Sequence, residues 1–208
     1  MLTKLEKNIN LLEFKYLSTD DVLIKPTTGL LSTRSQATVD GTFIYNSPMD
    51  TVASFALFNQ LLSSGQAAVS CRFDTIENRT YELALHKNKP NYWFTVGANL
   101  KDYKMLEEYC SRHSKAFLNI CVDVAHGDTI SLHQLYKQYS RQPWCRSLMS
   151  GTVATPESAY AVFESGCTHI RVGIGPGSAC STRIVTGCGV PNLSAVFTIE
   201  EVFSQELL

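Results

Sequence analysis

From residue 42 onward, short apolar runs alternate with longer stretches whose apolar residues recur every three or four positions. Thr42–Asn46, Ala67–Ser70, Tyr92–Val96, Ala116–Val124, Ser147–Ser150 and His169–Gly173 are β-branched, aromatic or continuously apolar, and each predicts a strand. Ala116–Val124 is unbroken, the pattern of a strand covered on both faces in a parallel sheet. Between these runs, Thr51–Ser64, Ile76–His86, Leu100–His113 and Thr129–Tyr139 carry helical spacing. Pro156 lies in the first turn of a further helix, with Thr155 as its N-cap and Gly166 closing it. Thr198-Ile199-Glu200-Glu201 has the form of a capping box and predicts the start of a last helix.

Strands alternating with helices make βαβ units and a parallel sheet. Their spacing of roughly 20–30 residues suits an eight-fold βα barrel, but an open doubly wound sheet has the same rhythm. Before this region, Leu2, Leu5, Ile9 and Leu12 predict a short helix within residues 1–18. Asp20–Pro26 reads as extended, and the Thr/Ser-rich stretch 27–40 with Gly29 reads as loop.

Composition narrows the function classes. Lys+Arg 18 against Asp+Glu 19 leaves a net charge of −1, so no basic face for nucleic acid or membrane is expected. No apolar run approaches the roughly 20 residues that span a bilayer, and residues 1–16 lack the apolar core of a signal peptide. The seven cysteines contain no CxxC pair, which argues against a zinc site or disulfide scaffold and for a reducing, cytoplasmic setting.

The densest chemistry is Gly173-Ile174-Gly175-Pro176-Gly177-Ser178-Ala179-Cys180-Ser181-Thr182-Arg183. A strand ends there, a glycine loop turns, and a thiol flanked by hydroxyls follows at the strand's C-terminal end, where parallel α/β folds place their sites. Glycine-loop amides and Arg171 are expected to lower the thiol's pKa.

This string, followed by Thr186-Gly187-Cys188-Gly189-Val190-Pro191, resembles the active-site loop of the IMP dehydrogenase/GMP reductase family. Four other segments match in order: Asp20–Pro26, Ser47-Pro48-Met49-Asp50-Thr51-Val52, Val122-Asp123-Val124-Ala125-His126-Gly127, and Ser150-Gly151-Thr152-Val153-Ala154-Thr155. The resemblance runs from about residue 17 to about residue 197 and selects the TIM-type (β/α)8 barrel, here incomplete. It implies one partial barrel domain over residues 1–208, with an N-terminal arm (1–41) and βα units one to six (42–208). It also implies that strands seven and eight are not in this chain, and that no paired regulatory domain is inserted after strand two.

The same resemblance implies the site. Cys180 would be the nucleophile that adds to C2 of a purine nucleotide, and Thr182 would take part in proton transfer. Ser47, Met49, Arg171 and Ser178 would contact the nucleotide. Asp123 would face a nicotinamide ribose, with Gly127 nearby. Carbonyls of Gly175, Gly177 and Cys180 would match a monovalent-cation (K+) loop. His126 is expected to be a loop residue rather than a base.

The implied reaction is NADPH-dependent (or NADH-dependent) reductive deamination of GMP to IMP. The alternatives are oxidation of IMP with NAD, or a non-catalytic remnant or partner subunit. Implied partners are a homo-oligomer or a chain supplying the last two strands. Two departures stand out: Thr152 occupies a position where the family usually has asparagine, and Ser70-Cys71-Arg72-Phe73 stands where it has a His-Lys or His-His-Asn type segment.

Overall fold

A computed structural model describes residues 17–23, 44–113, 115–177 and 180–206. The expected helix in 1–18 and loop over 27–40 therefore lie almost wholly outside the described residues. Five strands form one parallel sheet in chain order: β1 (Ala68–Val69), β2 (Tyr92–Val96), β3 (Leu118–Val122), β4 (Cys145–Val153) and β5 (His169–Val172). Helices α1 (Phe55–Ser63), α2 (Ile76–His86), α3 (Leu100–Arg112), α4 (Ile130–Ser140), α5 (Pro156–Glu164), α6 (Thr182–Thr186) and α7 (Asn192–Glu206) complete the order.

The first expected strand is reduced, in its described part, to a parallel bridge between Tyr45 and Ala67. The reason lies one residue on. The Asn46 carboxamide donates to Val69 O at 2.7 Å and accepts from Val69 N at 2.8 Å. A side chain thus takes the hydrogen bonds that a longer backbone ladder would use.

Most helices begin where a polar cap predicts. Ser54, Thr75, Asn99, Thr129 and Thr155 each accept a backbone N–H from the first turn of α1 to α5. Two expectations are corrected. Thr198 does not start a helix: α7 begins at Asn192, and the Thr198 hydroxyl bonds back to Ser194 O within it at 3.0 Å. A threonine inside a helix satisfies its hydroxyl this way, so the capping-box string is a coincidence of spacing. Residues 19–21 are a 3-10 turn rather than extended, because Ser18 and Asp21 cap it reciprocally.

The sheet has two faces with different companions. Its outer face carries Phe94, Val96, Leu118, Ile120, Val122 and Leu148 into the main core, against Leu83, Leu106, Leu132, Tyr136, Tyr139 and Val162 of the helices. Its inner face carries Ala67, Val69, Trp93, Cys121 and Met149 in a second, smaller cluster. The curl of the sheet is visible in one contact. Trp93 on β2 and His169 on β5 are separated by β3 and β4, which would set them roughly 14 Å apart in a flat sheet. Their ring centroids are 4.7 Å apart. The sheet is therefore a half-barrel, an incomplete TIM barrel whose inner face is concave.

One buried ion pair fixes the top of this wall. Arg79 of α2 donates to Asp102 at 2.8 Å and to Thr95 O at 2.9 Å. The other Asp102 oxygen accepts from Gly97 N at 2.7 Å. Helix α2, strand β2 and the start of α3 are thereby held as one unit.

Candidate active site

The inward-facing residues at the C-terminal ends of the strands converge. Asp123 follows β3, Arg171 lies on β5 and Arg72 follows β1. Arg171 Nη1 donates to Asp123 Oδ1 at 2.7 Å, and Arg72 Nε donates to Asp123 Oδ2 at 3.3 Å. The carboxylate is thus bracketed by two guanidinium groups. The Arg72 guanidinium also lies over the Phe73 ring, 4.0 Å from its centroid.

Two cavities meet at this cluster. One, of about 300 Å³, is lined by Arg72, Asp123, Thr152, Arg171, Cys180 and Thr182, with the Gly173–Pro176 loop as a wall. The other, of about 450 Å³, is lined by Ser47, Pro48, Met49, Asp50 and Phe73, and again by Asp123 and Arg171. Of the residues expected to act together, Cys180, Thr182, Asp123 and Arg171 share the first cavity. Ser47 and Met49 stand across the junction in the second. Ser178 lies outside the described residues.

Gly127 belongs to neither lining. Its N–H donates to Thr152 O at 3.0 Å and its carbonyl accepts from the Tyr136 hydroxyl at 2.9 Å. A Cβ on Gly127 would meet Gly151 Cα at 2.6 Å. Its backbone is used inside the protein, and its smallness lets the β3–α4 loop lie flat on β4. His126 is exposed on that loop. The same loop is anchored by Asp128, which bonds His133 Nε2 and accepts from the Ser158 hydroxyl, both at 2.7 Å. The Ser158 bond, helped by His133, holds the Asp128 carboxyl below its ordinary range despite partial burial.

The thiols separate into two kinds. Burial pushes Cys110 and Cys121 up to about 11, and Cys145 and Cys167 up to about 12. Cys180 is partly exposed and goes the other way. Hydrogen bonds from the Thr182 side chain and backbone, with the Arg183 amide and guanidinium, favour its thiolate. The expected direction holds, but the expected cation does not. Arg171 is committed to Asp123, and Arg183, just after Cys180 in the chain, supplies the charge.

The loop geometry is set by glycine. Gly175 has φ 72°, and a Cβ there would meet Arg183 Cβ at 2.9 Å. Gly177 has no positive φ, and the nearest described neighbour to an added Cβ is Cys180 Cβ at 3.5 Å, so nothing among the described residues forbids a side chain there. Nor do the loop carbonyls fit a monovalent cation as they stand. Gly175 O accepts from the Arg183 guanidinium at 3.3 Å, and Gly177 O accepts from Cys180 N at 3.0 Å. A positive charge already rests on one of the oxygens a potassium ion would use.

Sequence reasoning treated Arg72 only as a departure and did not place Arg183 in the site. Arg72 lies in the loop that leaves the C-terminal end of β1, past Ser70 and Cys71, which is the signal that it faces the mouth. Thr152, the other departure, has its hydroxyl spent on Ala125 O at 2.9 Å. Among the described residues no helix is long and apolar enough to cross a membrane.

Comparison with known proteins adds the identity of this arrangement. The IMP dehydrogenase / GMP reductase domain matches residues 17–207. A GMP reductase of Vibrio campbellii is 32% identical over 193 residues, covering 85% of this chain and 55% of its own length. GMP reductases of Vibrio atlanticus and Citrobacter koseri are 28% and 29% identical, with the same coverage. The chain thus spans about half the length of the curated relatives it matches. With a cysteine loop closing the C-terminal mouth of a parallel half-barrel and a family match over nearly its whole length, the chain belongs to the IMP dehydrogenase / GMP reductase domain family.

Proposed function

We propose that this chain carries the nucleophile-bearing half of a purine nucleotide oxidoreductase, acting in the direction of GMP reductase. The observation that carries the reading is Cys180: a partly exposed thiol, biased toward thiolate, opening into a cavity whose other polar side chains are Arg72, Asp123, Thr152, Arg171 and Thr182. The relatives named above are GMP reductases, which supports the direction.

The chemistry follows from what this arrangement holds. The Cys180 thiolate attacks C2 of the purine, forming a C–S bond, and ammonia leaves with a proton from the site. Thr182, bonded to the sulfur, is placed to relay that proton. Arg183 keeps the sulfur anionic before attack. The second cavity offers an apolar wall of Pro48, Met49 and Phe73 opposite the Asp123–Arg171 pair, which suits a heteroaromatic ring carrying a polar sugar. Ser47 and Met49 would hold the nucleotide there, and Asp123 would meet the cofactor. A bound NADPH or NADH would supply the hydride that releases IMP from the sulfur.

The proposed unit is a single barrel-type domain in a reducing cytoplasm, where all seven cysteines stay free. The outer edge of β5 pairs with no further strand among the described residues, whereas the edge before β1 is covered by Ile44 O and the Asn46 carboxamide. The partner we propose is a segment bearing the remaining strands, in the same or a second polypeptide, or a further copy of this chain.

The test is NADPH oxidation with ammonia release on adding GMP, measured with and without a fragment carrying the last strands. IMP with NAD serves as the reverse control. A GMP-dependent rate abolished by Cys180→Ala supports the reading. A rate with IMP and NAD alone assigns the opposite direction, and a GMP-dependent rate that survives Cys180→Ala rejects the mechanism.

A further inference from the structure

We propose that Arg72 and Arg171, held apart by Asp123, form a phosphate-binding subsite facing the Cys180 cavity. The inference deepens the functional reading and rests on it for the nature of the phosphate's carrier.

The argument begins with charge. Arg72, Asp123 and Arg171 sum to +1 on this cavity's wall, and the Cys180 thiolate beside them is matched by the Arg183 guanidinium, which donates to Gly175 O of the same wall. The second cavity lacks Arg72 and adds Asp50, so its charged side chains, Asp50, Asp123 and Arg171, sum to −1 and an anion is favoured only on the Cys180 side. Exposure points the same way. The side chains of Arg72 and Arg171 are 32% and 27% exposed, and the carboxylate between them 19%. The open atoms of the cluster are cationic.

Donor count agrees. Each guanidinium has five N–H donors, and Asp123 takes Nε of Arg72 and Nη1 of Arg171. Both terminal nitrogens of Arg72 remain beyond that bond. They are kept from swinging away by the Phe73 ring beneath the guanidinium. An arginine fork is suited to a phosphate's paired oxygens. Asp123 then acts chiefly as the strut that sets the spacing of the two forks.

The experiment is calorimetry on the full chain, titrated first with inorganic phosphate and then with GMP, NADPH and NADH. Phosphate should bind, more weakly as salt rises. Arg72→Gln should weaken phosphate binding at least tenfold. Arg72→Lys, which keeps the charge but loses the fork, should weaken it several-fold. The alkylation rate of Cys180 should be unchanged in both, since its cation is Arg183, and this also reports that the fold is intact. Should Arg72→Gln not fold, Arg72→Lys decides alone. If GMP loses affinity alongside phosphate, the group belongs to the substrate. If NADPH loses affinity and NADH does not, it is the dinucleotide's extra phosphate. No measurable phosphate binding, or affinities in the variants equal to the parent's, overturns the subsite. Phosphate binding through Arg72 without any response to GMP would instead remove the functional reading and leave the subsite standing.

Discussion

Trp93 and His169 meet edge to face at 4.7 Å across the concave side of the sheet, bridging strands that are not neighbours. Trp93 is 4% exposed and His169 is exposed, so the contact seats a surface ring against the inner core. Trp93→Ala should cost about 3–5 kcal/mol by denaturant unfolding. A cost below about 1 kcal/mol would mean that the inner cluster does not hold the curl.

Acid should loosen the same wall. Partial desolvation lowers the His169 pKa, and burial with Lys89 lowers that of His86, whose ring lies tilted against Phe55 and Tyr92. A histidine whose folded pKa is depressed is stabilising while neutral. That stability is present above the ordinary value of 6.5 and is lost as pH falls through the folded value. Melting temperature should therefore drop between pH 7 and pH 5, and drop less in a His86→Gln variant.

Alkali should act through the buried thiols. Unfolded cysteines ionise near 9, whereas Cys110, Cys121, Cys145 and Cys167 hold their protons to about 11 or 12. Raised values make stability complete below pH 9 and progressively lost from there to pH 12. Each thiol contributes on the order of 1 kcal/mol per pH unit in that window. Unfolding free energy measured at pH 8 and pH 10 checks this, and Cys121→Ala should flatten the slope.

Cys180 should be the fastest thiol toward iodoacetamide at neutral pH. Thr182→Val and Arg183→Gln should each slow it, whereas Arg171→Gln should not, because Arg171 is spent on Asp123. Peptide mapping of the labelled protein reads the site directly. Slowing by Arg171→Gln alone would restore the strand arginine as the activating charge.

The two loop glycines should behave differently. Gly175→Ala places a Cβ 2.9 Å from Arg183 Cβ at a positive φ and should destabilise the loop by about 1–2 kcal/mol. Gly177→Ala should leave stability within about 0.5 kcal/mol of the parent. Thermal melts of the two variants side by side settle the comparison.

Buried ion pairs give the sharpest packing test. Asp102→Ala leaves Arg79, 5% exposed, without its counter-charge, and should cost about 3–5 kcal/mol. Replacing both residues by apolar ones of like size should cost less than either single change, which a double-mutant cycle would show.

Strands and helices whose signals are local were readable in advance. Ile76–His86 and Tyr92–Val96 coincide with the elements found, because a cap or an apolar run within a few residues defines each of them. Thr198 misled because a hydroxyl that bonds back along a helix and one that caps it occur in the same four-residue string. The first strand misled because Asn46 replaces a backbone ladder with its side chain, which composition cannot reveal. In the site, Cys180 and Thr182 were legible from one contiguous loop. Arg72, Asp123 and Arg171 come from three strands, and their mutual distances depend on the curl of the sheet. Which arginine serves the thiol and which serves the carboxylate is a three-dimensional fact.

Strand order equal to chain order has a consequence for how the protein is made. Each strand pairs with the one synthesised just before it, so a nascent chain can lay down the wall unit by unit as it emerges. The Leu17–Ser194 pairing, with Leu17 N donating to Ser194 Oγ at 2.8 Å over a separation of 177 residues, has to wait until α7 has emerged. The curl that assembles the site can thus be in place before that latch closes. A stalled ribosome holding residues up to about β5 would already carry Trp93 against His169.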